Sequence, residues 1–246
     1  MWVARLVTSL VLTAHGSADP RSAANARAVA QHVARLRPGL DVRVAFCEKN
    51  SPSLVDVLPR LSGAAVVTPF LLANAYHARI DIPRQITECG AAERGVDVWQ
   101  AAVLGEDDRL ISVLRQRVTE LGVSRLDDQL GVLVVAIGSS NAAANACTAE
   151  VAPKLLDGTR WTAATTAFAT RPEPSLADAV HRLRRRGARR VVIAPWFLAP
   201  GQLPDRVQRF ADGAGIPMAA PLGAHRLVAE TVLDRFDEAT AQRIAA

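Results

Sequence analysis

Short, almost wholly apolar runs alternate along this chain with longer stretches whose apolar residues recur every three or four positions. In the first half the short runs are Leu6–Ala14, Asp41–Phe46, Ala64–Phe70 and Val98–Leu104, which read as strands. Between them the spacing predicts helices over Pro20–Leu36, Pro52–Leu61, Ile80–Ala92 and Asp107–Leu121. Val29, Val33 and Leu36 form the apolar stripe of the first helix, the pattern of a helix with one buried face. Asp19-Pro20 and Ser51-Pro52 read as cap-then-proline helix starts. Alternating strand and helix units predict parallel sheets with helices on both faces.

The second half repeats the first. Leu10–Ser17 matches Val132–Ser139, and Ala45-Phe46 with Ser51–Leu54 matches Ala167-Phe168 with Glu173–Leu176, both 122 residues further on. Val66–Leu72 matches Val192–Leu198 at a distance of 126, one helical turn more. Leu104-Gly105 before Arg109-Leu110 matches Leu222-Gly223 before Arg226-Leu227. Four blocks in one order define a duplication. Strands are then expected at Leu130–Ile137, Trp161–Phe168, Arg190–Trp196 and Ile216–Ala220, with a last helix over His225–Ala241. The polar segment Gly122–Gln129 reads as the linker between an N-terminal lobe, 1–122, and a C-terminal lobe, 130–246.

Composition narrows the class. Half of the 246 residues are hydrophobic and 4% aromatic, so the cores are expected to be aliphatic. The net charge of +5 suits an acidic partner, or equally reflects an Arg-rich composition alone. The densest basic run, Arg182–Arg190, closes a predicted helix without interleaved aromatics, so nucleic acid is not expected as a partner. Cys47, Cys89 and Cys147 form no paired motif, which fits a reducing, cytoplasmic compartment. The apolar N-terminal run recurs in mid-chain, so it reads as a strand rather than a leader. No run has the length of a membrane span, and no GxxxxGK[ST] loop calls for ATP.

Three polar residues stand at strand ends of the first copy: His15, Glu48 and His77. Parallel strands put their carboxyl ends on one edge, so the three can converge there. Two imidazoles and a carboxylate suit a divalent first-row metal. The matching positions of the second copy hold Ile137, Thr170 and Leu203; the architecture therefore does not require the polar set. Simpler readings stay open at this point. His15 is also placed to cap a helix, and Glu48, beside Lys49, to form a surface ion pair. Ala14-His15-Gly16 also resembles the Arg-His-Gly turn of histidine phosphatases, without the arginine.

LTAHGSADPRS, AFCEKNSPSL and VVTPFLLANAYHARIDIP resemble the signature blocks of the class II chelatases, and within them the sirohydrochlorin chelatases of the CbiX and SirB type, in the long two-repeat form. The resemblance implies an α/β fold of two chelatase-like, flavodoxin-related repeats forming a bilobal structure with a cleft. It implies insertion of Fe²⁺ or Co²⁺ into sirohydrochlorin without ATP, for siroheme or cobalamin, with no cofactor beyond the substrate metal. The family's metal-binding histidines fall on His15 and His77 and its acidic residue on Glu48. Asn74-Ala75-Tyr76 stands where many members carry a glycine beside the aromatic. For the carboxylates of the ring, Ser17, Arg79, Arg84, Asn141, Arg171 and Arg206 are candidates by position, and Tyr76 and Trp196 for stacking on it. With both copies in one chain, a monomer is expected. A tetrapyrrole- or metal-binding carrier of the same fold is the alternative.

Overall fold

The structure is a computed structural model that describes residues 8–170 and 175–245. Two parallel sheets organise it. The first comprises β1 (Thr8–Ala14), β2 (Val42–Phe46), β3 (Ala64–Pro69) and β4 (Asp97–Gln100), in the order β2-β1-β3-β4. The second comprises β5 (Leu130–Ala136), β6 (Ala163–Phe168) and β7 (Arg190–Pro195), in the order β6-β5-β7. In both sheets the first strand of the copy is central. Every residue of β5 and six of the seven in β1 are buried, which is why β5 reads as an unbroken apolar run and β1 as a mostly apolar one, with Ser9 and Thr13 buried in it.

The helices start where capping chemistry puts them, and the caps repeat with the duplication. Asp19 caps α1 (Pro20–Leu36), its side chain accepting from the Arg21 N–H at 3.0 Å; Asn141 caps α5 (Ala142–Ala149) in the same way. Ser53 caps α2 (Leu54–Val57), and Ser175 forms a capping box with Asp178 on α7 (Leu176–Arg185). The helix expected from Pro52 thus begins at Leu54, with Ser53 rather than Ser51 as its cap, and continues as a short 3₁₀ turn, Leu58–Arg60. The helix expected over Ile80–Ala92 opens with a π-helical turn, His77–Asp81, before α3 (Ile82–Glu88).

The eighth strand, expected over Ile216–Ala220, is reduced to one bridge between Ile193 and Met218. Ile193 N–H bonds the Pro217 carbonyl and Ala219 N–H bonds the Ile193 carbonyl. Pro217 and Pro221 bracket these bonds, and a proline has no N–H to extend a ladder.

Packing divides the chain into two compact units: Met1–Gly105 with Arg226–Ala246, and Glu106–His225. These are cut differently from the sequence copies, because each copy's last helix packs in the other unit. After α8 (Gln202–Ala214), the last helix, α9 (Arg226–Ala245), lies in the first unit on α1 and β3. There Arg235 donates to the Val103 and Leu104 carbonyls, and Trp99 Nε1 to the Ala239 carbonyl. α4 (Asp108–Thr119) lies in the second unit, against β7 and α6 (Val151–Leu156), where Arg115 donates to the last carbonyls of α6. The segment expected as a linker, 122–129, is bound into the second unit. Trp161 Nε1 donates to the Ser124 carbonyl, and Arg160 N–H to that of Arg125. No described helix is long and apolar enough to cross a membrane.

Candidate active site

The order of the first sheet reverses between β1 and β3, and ligands of open α/β sheets bind at such switch points, beyond the strands' carboxyl ends. His15 follows β1, Glu48 follows β2, and His77 opens the π turn after β3. The structure brings them together. The His15 and His77 rings lie 3.8 Å apart between centroids, tilted by 32°, and His15 Nε2 is 3.2 Å from Glu48 Oε1.

Backbone bonds set this convergence. Past the end of the strands, Cys47 N–H bonds the Ala14 carbonyl and Glu48 N–H bonds the His15 carbonyl, so the two loops run on as a paired extension of the sheet. Gly16 permits the approach. Its φ is +98°, and a Cβ there would lie 1.8 Å from the Glu48 carbonyl oxygen. Asn50 closes the corner by accepting from the Ser17 N–H at 2.7 Å. On the other side Gln100 Nε2 donates to the Ala78 carbonyl and Gln85 Nε2 to that of Cys47, which anchors the π turn and α3.

Charge at the site follows from these contacts. Burial holds the His15 imidazole below its ordinary 6.5, helped by the neighbouring His77 and opposed by Glu48. It is therefore mostly neutral at pH 7 and can offer a lone pair. Lys49, 3.0 Å from Glu48 Oε1, holds that carboxyl below the usual range, with His15 acting in the same direction. Glu48 thus makes both the expected surface pair and the contact to His15. Burial pushes the Cys47 thiol up to about 11, so it is no ready thiolate at neutral pH. Among the described residues no three His, Cys, Asp or Glu groups form a ligand cage; the expected donors meet without forming a closed site.

The other expected residues divide by location. Tyr76 is 61% exposed and sits edge-on to His77, with Arg79 and the half-exposed Ile80 on the same turn. Arg84 contacts Asp81. Ser17 Oγ accepts from the Asp19 N–H, and the Asn141 side-chain oxygen accepts from Ala143 and Ala144, so both polar groups serve their own turns. In the second unit Arg206 donates to the Ala169 carbonyl, just past β6. Arg171 lies outside the described residues. Trp196 is 2% exposed and belongs to the core, not to a stacking surface. Two participants were not anticipated. One is Asn50. The other is Asp81, whose Oδ2 lies 2.6 Å from His77 Nδ1; a histidine and an aspartate four residues apart was its signal in the sequence.

The CbiX family model matches the chain twice, over residues 9–121 and 131–239. The chain belongs to the CbiX family. The two matches fall on the two copies of the repeat. The chain is 27% identical to a sirohydrochlorin ferrochelatase of Priestia megaterium, over 88% of this chain and 85% of that one. It is also 27% identical to a sirohydrochlorin cobaltochelatase of the same organism, over 94% and 79%. Among solved structures, SirB from Bacillus subtilis with Fe³⁺ superposes with a TM-score of 0.83 over 97% of both chains at 19% identity, a likeness of fold.

Proposed function

We propose that this CbiX chain is a sirohydrochlorin chelatase, a lyase that inserts Fe²⁺ or Co²⁺ into the tetrapyrrole without ATP, for siroheme or cobalamin. The carrying observation is the pair of imidazoles 3.8 Å apart, with Glu48 beside them, at the switch point of the first sheet. Insertion has two demands: the metal must be held while it sheds water, and two pyrrole N–H protons must leave. Imidazole nitrogens supply lone pairs to iron or cobalt, and His15 and His77 take that role. Glu48, ionised, can ligate the metal or accept a pyrrole proton. Tyr76 and Ile80 offer the macrocycle apolar surface. Arg79, Arg84, Arg171 and Arg206, with Ser17 and Asn141, are the candidates for its carboxylates. The chain acts as a monomer in the cytoplasm; its three free thiols, Cys47, Cys89 and Cys147, accord with a reducing compartment.

The test is anaerobic absorbance of sirohydrochlorin with Fe²⁺ and Co²⁺ in parallel, wild type beside Glu48→Gln. The proposal predicts turnover above the non-enzymatic rate, with the variant binding the ring but inserting slowly. Binding without turnover in the wild type would mark a carrier.

A further inference from the structure

The two imidazoles of the site are held differently. His77 Nδ1 lies 2.6 Å from Asp81 Oδ2, and the Asp81 side chain is only 15% exposed. Its other oxygen is 3.3 Å from the Arg84 guanidinium. The π turn makes this pairing. Ile82 N–H bonds the His77 carbonyl five residues back, and His77 and Asp81 stack on one face, a turn apart. An ionised carboxylate only accepts, so Nδ1 is the donor, and the neutral ring is the Nδ1–H tautomer with its lone pair on Nε2. His15 has no such support: its Nδ1 is buried without a hydrogen-bond partner, and its Nε2 faces Glu48.

We propose that Asp81 is a positioning residue that accepts from His77 Nδ1–H, fixes the ring and its tautomer, and so presents Nε2 to the incoming divalent metal. His77 is then the pre-oriented donor, and His15, whose Nδ1 has no partner, the less constrained one. Carboxylates behind metal-ligating histidines act in this way, and their loss lowers metal affinity roughly 10- to 100-fold. A carboxylate serving only as a helical i,i+4 partner would leave metal affinity alone. The inference rests on the reading that His77 meets the substrate metal.

The test uses the full chain, anaerobic, with Co²⁺ alone as the probe. Affinity and the visible ligand-field spectrum are compared for wild type, Asp81→Ala and His77→Ala, with thermal midpoints alongside. Asp81→Ala is expected to keep its fold, to lose affinity roughly 10- to 100-fold and to change the spectrum. In turnover the metal KM rises more than kcat falls. A folded Asp81→Ala with wild-type Co²⁺ affinity and spectrum overturns the inference, as does wild-type affinity in His77→Ala. If Asp81→Ala does not fold, ring ¹⁵N shifts of the metal-free wild type decide. The Nδ1–H tautomer at His77 supports the inference and the Nε2–H tautomer overturns it. Co²⁺ binding that depends on Asp81 without sirohydrochlorin turnover would sink the chelatase reading alone; intact turnover with affinity and KM indifferent to Asp81 would sink this inference alone.

Discussion

The carboxyl edges of β1–β2 and of β5–β6 are the same scaffold carrying different chemistry. In the first, Cys47 and Glu48 N–H groups bond the Ala14 and His15 carbonyls; in the second, Ala169 and Thr170 N–H groups bond those of Ala136 and Ile137. Ser17 and Ser139 hydroxyls each accept from the N–H two residues on, and Asp19 and Asn141 each cap the following helix. On this shared frame the first edge presents His15, Glu48 and His77, and the second Ile137, Thr170 and Leu203. Even the hydroxyl of Thr170 is taken up by the frame, donating to the Ile137 carbonyl at 2.7 Å. The frame therefore needs no ionisable side chain, and under the proposed function those of the first edge answer to chemistry rather than to folding.

The largest expected effect separates the edges outright. His77→Ala should lower the rate of metal insertion roughly 10²- to 10⁴-fold, the range for removing a group that takes part in proton or metal transfer. Thr170→Val should leave steady-state rates unchanged. It should cost about 0.5 kcal/mol in chemical denaturation, the low end for one exposed hydrogen bond.

Gly16 sharpens the comparison from the side of the backbone. Gly16→Ala forces a methyl into the Glu48 carbonyl at a positive φ, so denaturant unfolding should show a loss of about 3 kcal/mol or more. Gly39 also has a positive φ, +87°, but open space where a Cβ would go; Gly39→Ala should lose only about 1–2 kcal/mol. Equal losses would mean that the approach of the two loops does not hold the site.

The smallest effect is electrostatic. Burial and His77 lower the His15 pKa, and Glu48 raises it. NMR titration of the metal-free protein should place His15 below 6.5, and Glu48→Gln should lower it further. The sign matters for stability: with the folded value depressed, the unfolded chain takes up the proton first. The His15 contribution therefore turns unfavourable as pH falls below 6.5 and saturates below the folded pKa.

What the sequence revealed was what repeats and what is local. The apolar runs of β1 and β5 and the Asp19-Pro20 start of α1 appear as the patterns require. His15, Glu48 and His77 could be gathered because parallel strands send their ends to one edge. What stayed hidden depends on tertiary packing. Nothing in the periodicity of α4 or α9 says that each packs in the unit of the other copy. An apolar run at Ile216–Ala220 looks like a strand until the prolines at 217 and 221 limit its ladder. Asp81 was in plain view within HARID, but its role needed the π turn, which no apolar spacing announces. Trp196 showed only as an aromatic at a strand end, and its burial was decided by its neighbours.

The central claim is that one edge works and its copy does not. It is tested most directly by anaerobic sirohydrochlorin turnover, with Fe²⁺ and with Co²⁺, in His15→Ala and Ile137→Ala side by side. The account predicts insertion lost in His15→Ala and kept at the wild-type rate in Ile137→Ala. Turnover that survives in His15→Ala, or falls equally in both variants, would contradict it.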